Sequence, residues 1–246
     1  MADGAVALLF GLAAVAVAGV ISGMTGFGFA LVSAPLLVLV MPARVAVPIV
    51  SVLSLLSHLV VLGETLRAID LRRIWLLALG GIIGSPIGVY LLVMLDPASL
   101  KLAIGLVTTL FALALLRGFK RPIRNERLAS LPIGLTSGLL GGSTSMSGPP
   151  VVLFFSNQSV EKRTFRANLN LYFILLACAT VPAQLVAGLL TRQVVTYLLW
   201  LSPALLAGTL AGMWLARRVD EEAFRRLTLV VVIATGLTAI AGAIAG

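Results

Sequence analysis

The residues best suited to chemistry lie in two Gly/Ser/Thr stretches that interrupt apolar sequence. The first is Ser22-Gly23-Met24-Thr25-Gly26-Phe27-Gly28. The second is Gly141-Gly142-Ser143-Thr144-Ser145-Met146-Ser147-Gly148-Pro149-Pro150. Where a helix breaks, the N-terminus that follows presents free N–H groups and partial positive charge, which suits an oxyanion. Glycine lets the backbone approach a ligand closely. The hydroxyls of Thr25, Ser143, Thr144, Ser145 and Ser147 can donate hydrogen bonds. Packing between membrane helices also enriches Gly, Ser and Thr. It does not call for the four hydroxyls and two prolines that the second stretch holds in ten residues. The expected substrate site is therefore Ser143, Thr144, Ser145 and Ser147, with Thr25, Gly26 and Gly28 opposite.

Other polar residues could join it. Asn168 and Asn170 are two apart in an apolar run, so on a helix they point to different faces. They fit either ligand contacts or hydrogen bonds between helices. Arg166 precedes them, and snorkelling to headgroups is the expectation for it over drawing an anion into an inner vestibule. His58 stands in an apolar run as the one histidine. Proton coupling and a neutral histidine with one hydrogen-bond partner both remain open. Asp3, Glu64, Asp70, Asp96, Glu126, Glu161, Asp220, Glu221 and Glu222 all fall at edges or loops, which argues against a carboxylate cation relay. Without Lys or Arg at the depth of the breaks, neutral donors must hold the ligand. No metal-ligand cluster and no cofactor motif occurs. HExxH, GxSxG and P-loop patterns are missing too, so an enzyme is not expected. The lone Cys178 excludes an internal disulfide and reads as a small buried hydrophobe. Asn157-Gln158-Ser159 fits a glycosylation sequon by chance.

The elements that must position these groups are set by composition. Hydrophobic residues make up 60% of the 246 and charged ones 11%, and the mean hydropathy is +1.11. A soluble domain carries about 25% charged residues, so this surface must face lipid. The net charge of +9 sits in short clusters between apolar runs, which is how membrane topology is encoded. It does not point to nucleic acid. Spans are expected at Val45–Gly63, Ile74–Leu95, Leu102–Leu116, Ala167–Thr191, Gln193–Ala216 and Leu227–Gly246. Ala5–Val40 and Leu128–Phe155 are broken by the two stretches above. The arm after each break holds about a dozen residues or fewer, which reaches roughly 20 Å at most and cannot cross. Each region reads as a re-entrant helical hairpin.

The two hairpins match each other. Gly19, Ser22, Gly23, Gly26 and Pro35 recur 115 residues later without a gap, and Gly84/Gly88 is echoed by Gly208/Gly212. The chain thus divides into a first membrane repeat (1–118), a basic cytoplasmic linker (119–126) and a second repeat (127–246). Arg67, Arg72 and Arg73, the cluster from Arg117 to Arg127, Lys162, Arg163 and Arg166, and Arg217, Arg218, Arg225 and Arg226 hold 15 of the 18 Lys and Arg. Placed in the cytoplasm, these segments make the repeats inverted, with three full spans each and both termini outside. Inverted repeats with broken helices mark transporters whose substrate sits near the midplane.

At Gly19–Pro35 and Gly134–Pro150 the sequence resembles the sulfite exporter TauE/SafE family, over nearly the whole chain. The resemblance implies a multi-pass permease of the bacterial inner membrane for sulfite, organosulfonates or similar small sulfur-containing anions. Its partners are then that anion and membrane lipid, and a homodimer stays open. The expected mechanism is export by alternating access around a midplane site, driven without an ATP-binding domain. An anion channel and a membrane-embedded enzyme that handles a sulfur compound are the alternatives. Phe27 and Phe29 stand where the second break carries Gly142 and Thr144, so the second hairpin is expected to supply most polar contacts.

Overall fold

The computed structural model describes residues 2–117, 125–156, 161–216, 218, 232–234, 236–238 and 240–241. These residues are helical almost throughout, with no strand among them. The helices are α1 (Ala2–Thr25), α2 (Phe29–Val40), α3 (Ala43–Thr65), α4 (Leu71–Met94), α5 (Pro97–Leu116), α6 (Glu126–Thr144), α7 (Gly148–Ser156), α8 (Lys162–Val186) and α9 (Arg192–Leu215), with a 3₁₀ turn at Leu66–Ala68. Six of them, α1, α3, α4, α5, α8 and α9, contain stretches long and apolar enough to cross a membrane. The expected spans between Val45 and Ala216 fall within these helices to within a few residues. Leu227–Gly246 is described only in short helical pieces. The sequon and most of the linker lie outside the described residues.

Side-chain caps start the helices whose ends lie at the edges. Asp70 accepts from Arg72 N at 3.1 Å, Asn125 from Leu128 N at 3.3 Å and Thr191 from Val194 N at 3.4 Å, each occupying an orphan donor of the first turn. Asp96 does the same for α5, accepting from Ala98 N at 3.0 Å and from Ser99 N and Oγ at 2.9 and 2.6 Å. The Ser99 hydroxyl and amide hold the Asp96 carboxyl below its ordinary range.

The packing follows residue size. α4 turns Trp75, Leu79, Ile82, Ile83 and Ile87 outward and buries Gly80, Gly81, Gly84, Ser85 and Gly88. With lipid as apolar as leucine, helices associate through close packing of small residues. α4 meets α6 so tightly that a Cβ on Gly138 would lie 2.1 Å from the Gly81 carbonyl oxygen. α1 meets α9 in the same way: a Cβ on Gly23 would lie 2.2 Å from the Thr209 oxygen. α2 and α7 are short, of 12 and 9 residues, so α2 is only about 18 Å long.

Two expectations change. The second break is not ten residues long: α6 continues through Thr144 and only Ser145-Met146-Ser147 separates it from α7. Gly142, which looks like a helix breaker, instead faces α4, where a Cβ would lie 2.2 Å from the Ser85 oxygen. Cys178 is exposed on α8 rather than buried.

Contacts also sort the ends of the bundle. Arg73 pairs with Asp70 at 3.6 Å and with Glu126 at 3.9 Å, and Asp70 N donates to Asn168 Oδ1 at 2.8 Å. The starts of α4, α6 and α8 therefore share one end. Arg44 donates to the carbonyls of Val93 and Leu95 at 2.5 and 3.2 Å, which joins the start of α3 to the end of α4.

Candidate functional site

The first break is built from glycines in left-handed backbone. Gly26 has φ 82° and Gly28 φ 99°, a conformation that costs glycine little. The Thr25 hydroxyl closes the turn: it lies 2.8 Å from the Ile21 oxygen, also contacts the Phe27 oxygen, and accepts from Phe27 N at 3.2 Å. α2 then starts at Phe29 with Gly28 as its N-cap and no side-chain cap. The first helical bond runs from Val32 N to Gly28 O, 3.2 Å. The N–H groups of Phe29, Ala30 and Leu31 thus have no acceptor within the helix.

At the second break Ser145 ends α6 in the left-handed region, φ 63°, which costs a non-glycine residue about 1–3 kcal/mol. Its N–H still reaches Gly141 O at 2.9 Å, and Met146 N reaches Thr144 Oγ1 at 3.3 Å. α7 opens with Gly148-Pro149-Pro150. The prolines have no N–H to offer. The backbone donors here are Ser147 and Gly148, fewer than α2 presents.

Both starts face one cavity of about 50 Å³. Gly28 to Leu31 line it from α2, and Ser145 to Gly148 from the second break. Ser51, Ser54 and His58 of α3 and Phe173, Leu176 and Thr180 of α8 complete the wall. At about 10–15 Å³ per water-sized occupant, this is room for roughly four heavy atoms.

Of the expected site residues, Gly28, His58, Ser145 and Ser147 line this cavity, and Thr25, Gly26, Ser143, Thr144, Arg166, Asn168 and Asn170 do not. Ser143 Oγ donates to Leu139 O at 2.8 Å and Thr144 Oγ1 to Leu140 O at 2.7 Å, so both hydroxyl protons are engaged within α6. Asn168 Oδ1 holds the Asp70 amide. Asn170 Nδ2 donates to Arg166 O at 2.7 Å, and its Oδ1 lies 2.8 Å from His58 Nδ1. Arg166 does not snorkel. It donates to Gly23 O at 3.0 Å, and a Cβ on Gly26 would lie 3.2 Å from its Cγ and Nε. The expectation that no cation reaches the breaks is thereby corrected: the chain bends this guanidinium inward onto the carbonyl end of α1, where positive charge is favoured.

Ser51, Ser54 and Thr180 were not anticipated from sequence; free amides after a break were, but not that Phe29 to Leu31 carry them. Single hydroxyls in apolar spans carry no spacing signal. A short apolar helix beginning Gly28-Phe29 gives no side-chain sign of its exposed amides.

Two polar contacts recur at the spacing of the sequence repeat. Ser22 Oγ lies 2.8 Å from Ser57 Oγ, and Tyr172 donates to Ser137 Oγ at 2.8 Å; Ser137 and Tyr172 stand 115 positions after Ser22 and Ser57. His58 and Phe173, also 115 apart, stack on each other with centroids 4.7 Å apart.

Several apolar helices packed by small residues, with polar groups turned inward on a small cavity at two helix breaks, define a multi-pass membrane protein of the transporter class. The chain belongs to the sulfite exporter TauE/SafE family, whose pattern matches residues 11–239. No curated protein and no solved structure matches it.

Proposed function

We propose that the protein is a secondary transporter of a small sulfur oxyanion, sulfite or a compact sulfonate, held in the cavity between the breaks. The observation that carries this reading is the start of α2, which has no side-chain cap and whose Phe29, Ala30 and Leu31 line the cavity shared with Ser147 and Gly148. A buried helix start without a cap calls for a ligand, and partial positive charge selects an anion. The cavity's size suits an ion of four heavy atoms better than a long organic tail.

The two hairpins are then equivalent parts of inverted repeats. This reading is supported by the repeated hydroxyl pairs and by His58 meeting its own counterpart Phe173, as residues on a twofold axis do. The matched packing of α1 on α9 and α4 on α6 supports it too. Rocking of the repeats about the cavity gives alternating access. With the basic end in a cytoplasm at negative potential, an uncoupled anion leaves the cell with about 2.3 kcal/mol per charge per 100 mV in its favour. Proteoliposomes loaded with sulfite should release it saturably and show counterflow. Absence of flux under every imposed gradient overturns the reading.

A further inference from the structure

Behind the anion cavity, α3, α8 and the second break share a buried polar cluster whose hydrogen-bond direction can be worked out. Ser145 Oγ lies 2.7 Å from Val47 O. A carbonyl only accepts, so Ser145 donates its single hydroxyl proton there. In the 2.8 Å contact between Ser51 Oγ and Ser145 Oγ, Ser51 must therefore be the donor. Ser51 can then only accept from Gln184, whose Nε2 lies at 3.0 Å. This chain fixes the orientation of the Gln184 amide, which would otherwise be an assignment between two alternatives. Its Oε1 is left buried with no partner, on a side chain with no solvent exposure.

What remains unfilled is lone pairs. Both hydroxyl protons are engaged, while Gln184 Oε1 is vacant and each hydroxyl oxygen keeps one open acceptor position. Such a cluster repels an oxyanion and attracts a cation, and neutral oxygens are the ligands hard cations take. The cluster sits at the C-terminal end of α6, of which Ser145 is the C-cap, where the helix carries partial negative charge. Helix ends and unwound carbonyls hold coupling ions in this way in broken-helix transporters. Ser51 and Ser145 also line the anion cavity, so a cation here would touch the same wall as the anion.

We propose that Gln184 Oε1, with the Ser51 and Ser145 hydroxyl oxygens, forms a binding site for a small monovalent cation, sodium or hydronium, that accompanies the anion. Its coupling role rests on the anion reading above; cation binding by itself does not. Opposite charges across a shared wall raise each other's affinity by the same factor.

The test is the thermal unfolding midpoint of the purified protein in detergent, at fixed ionic strength and without sulfite. If sodium is the occupant, replacing choline chloride by sodium chloride raises the midpoint saturably, and Gln184→Met abolishes the rise. If hydronium is the occupant, sodium has no effect, and lowering the pH raises the wild-type midpoint relative to that of Gln184→Met. Gln184→Glu, which keeps the oxygen and adds charge, guards against a Met variant that fails to fold; it should bind the same cation at least about tenfold more tightly. A wild type indifferent to sodium whose pH profile the Gln184 variants share, or a sodium effect they retain unchanged, overturns the proposal and leaves a water or a site elsewhere. Sulfite titrated separately in the same assay distinguishes the two readings. A sodium or Gln184-dependent pH effect without stabilisation by sulfite removes the anion site alone, and stabilisation by sulfite with neither cation effect removes the cation site alone.

Discussion

Ala30 offers a way to delete one backbone donor from the proposed anion site while leaving the helix ladder intact. It stands at the second position of α2, where its N–H has no helical acceptor. Proline is tolerated in a first helical turn because the hydrogen it lacks is an orphan there. Ala30→Pro therefore removes the N–H of a cavity-lining residue, and its ring adds bulk and restricts Phe29, which the ligand-free unfolding midpoint must show the fold tolerates. A hydrogen bond to a charged partner is worth about 1.5–3 kcal/mol, so sulfite affinity should fall roughly 10- to 150-fold, since each ~1.4 kcal/mol is tenfold. Ala30→Gly retains the N–H and adds no bulk, and should bind sulfite close to wild type. Calorimetric or thermal-shift titration of the purified variants reads the affinity, and the ligand-free unfolding midpoint shows whether the fold is kept. If Ala30→Pro folds and binds sulfite within about twofold of wild type, the start of α2 does not hold the anion.

Gly138→Ala should lower the unfolding midpoint sharply, because its Cβ would meet the Gly81 carbonyl oxygen at 2.1 Å and overpacking costs about 1–3 kcal/mol or more. Gly63→Ala, with nothing within 4 Å of the added Cβ, should leave the midpoint nearly unchanged; equal losses would show that the α4–α6 contact is not decisive. Arg166→Gln should slow sulfite flux more at low ionic strength than at high, because screening removes the attraction of a partly exposed charge; a salt-independent loss would make Arg166 a structural cap only. With the exposed Cys178 first replaced by serine, cysteines placed at Arg121 and at Arg192 should react with an impermeant thiol reagent from opposite sides of the membrane, and labelling from the same side would break the inverted-repeat reading.

Much of the architecture was legible in the sequence, because lipid as a solvent leaves few choices. Without water to bond the backbone, spans must be helices and their surfaces apolar, so composition alone sets the class and the runs of Val45–Gly63 or Ile74–Leu95 nearly set their own bounds. The helix breaks after Thr25 and Thr144 were legible as local chemistry, and the recurrence of Gly19, Ser22, Gly23, Gly26 and Pro35 after 115 positions could be counted. What each hydroxyl does was not legible. Ser33, Thr108 and Ser202 bond the carbonyl four residues back in their own helices, as Ser143 and Thr144 do, whereas Ser51 and Ser145 bond across helices; one-dimensional spacing is the same for both. Gly142 could bend a chain or pack a helix, and only the nearness of Ser85 on α4 makes it the second. Arg166 had length enough to reach water or to fold inward, and the carbonyl of Gly23, 143 positions away, decided it. Backbone amides such as those of Phe29 to Leu31 belong to every residue. They line the cavity only because the tertiary fold leaves that helix start without a side-chain cap and beside Ser147 and His58.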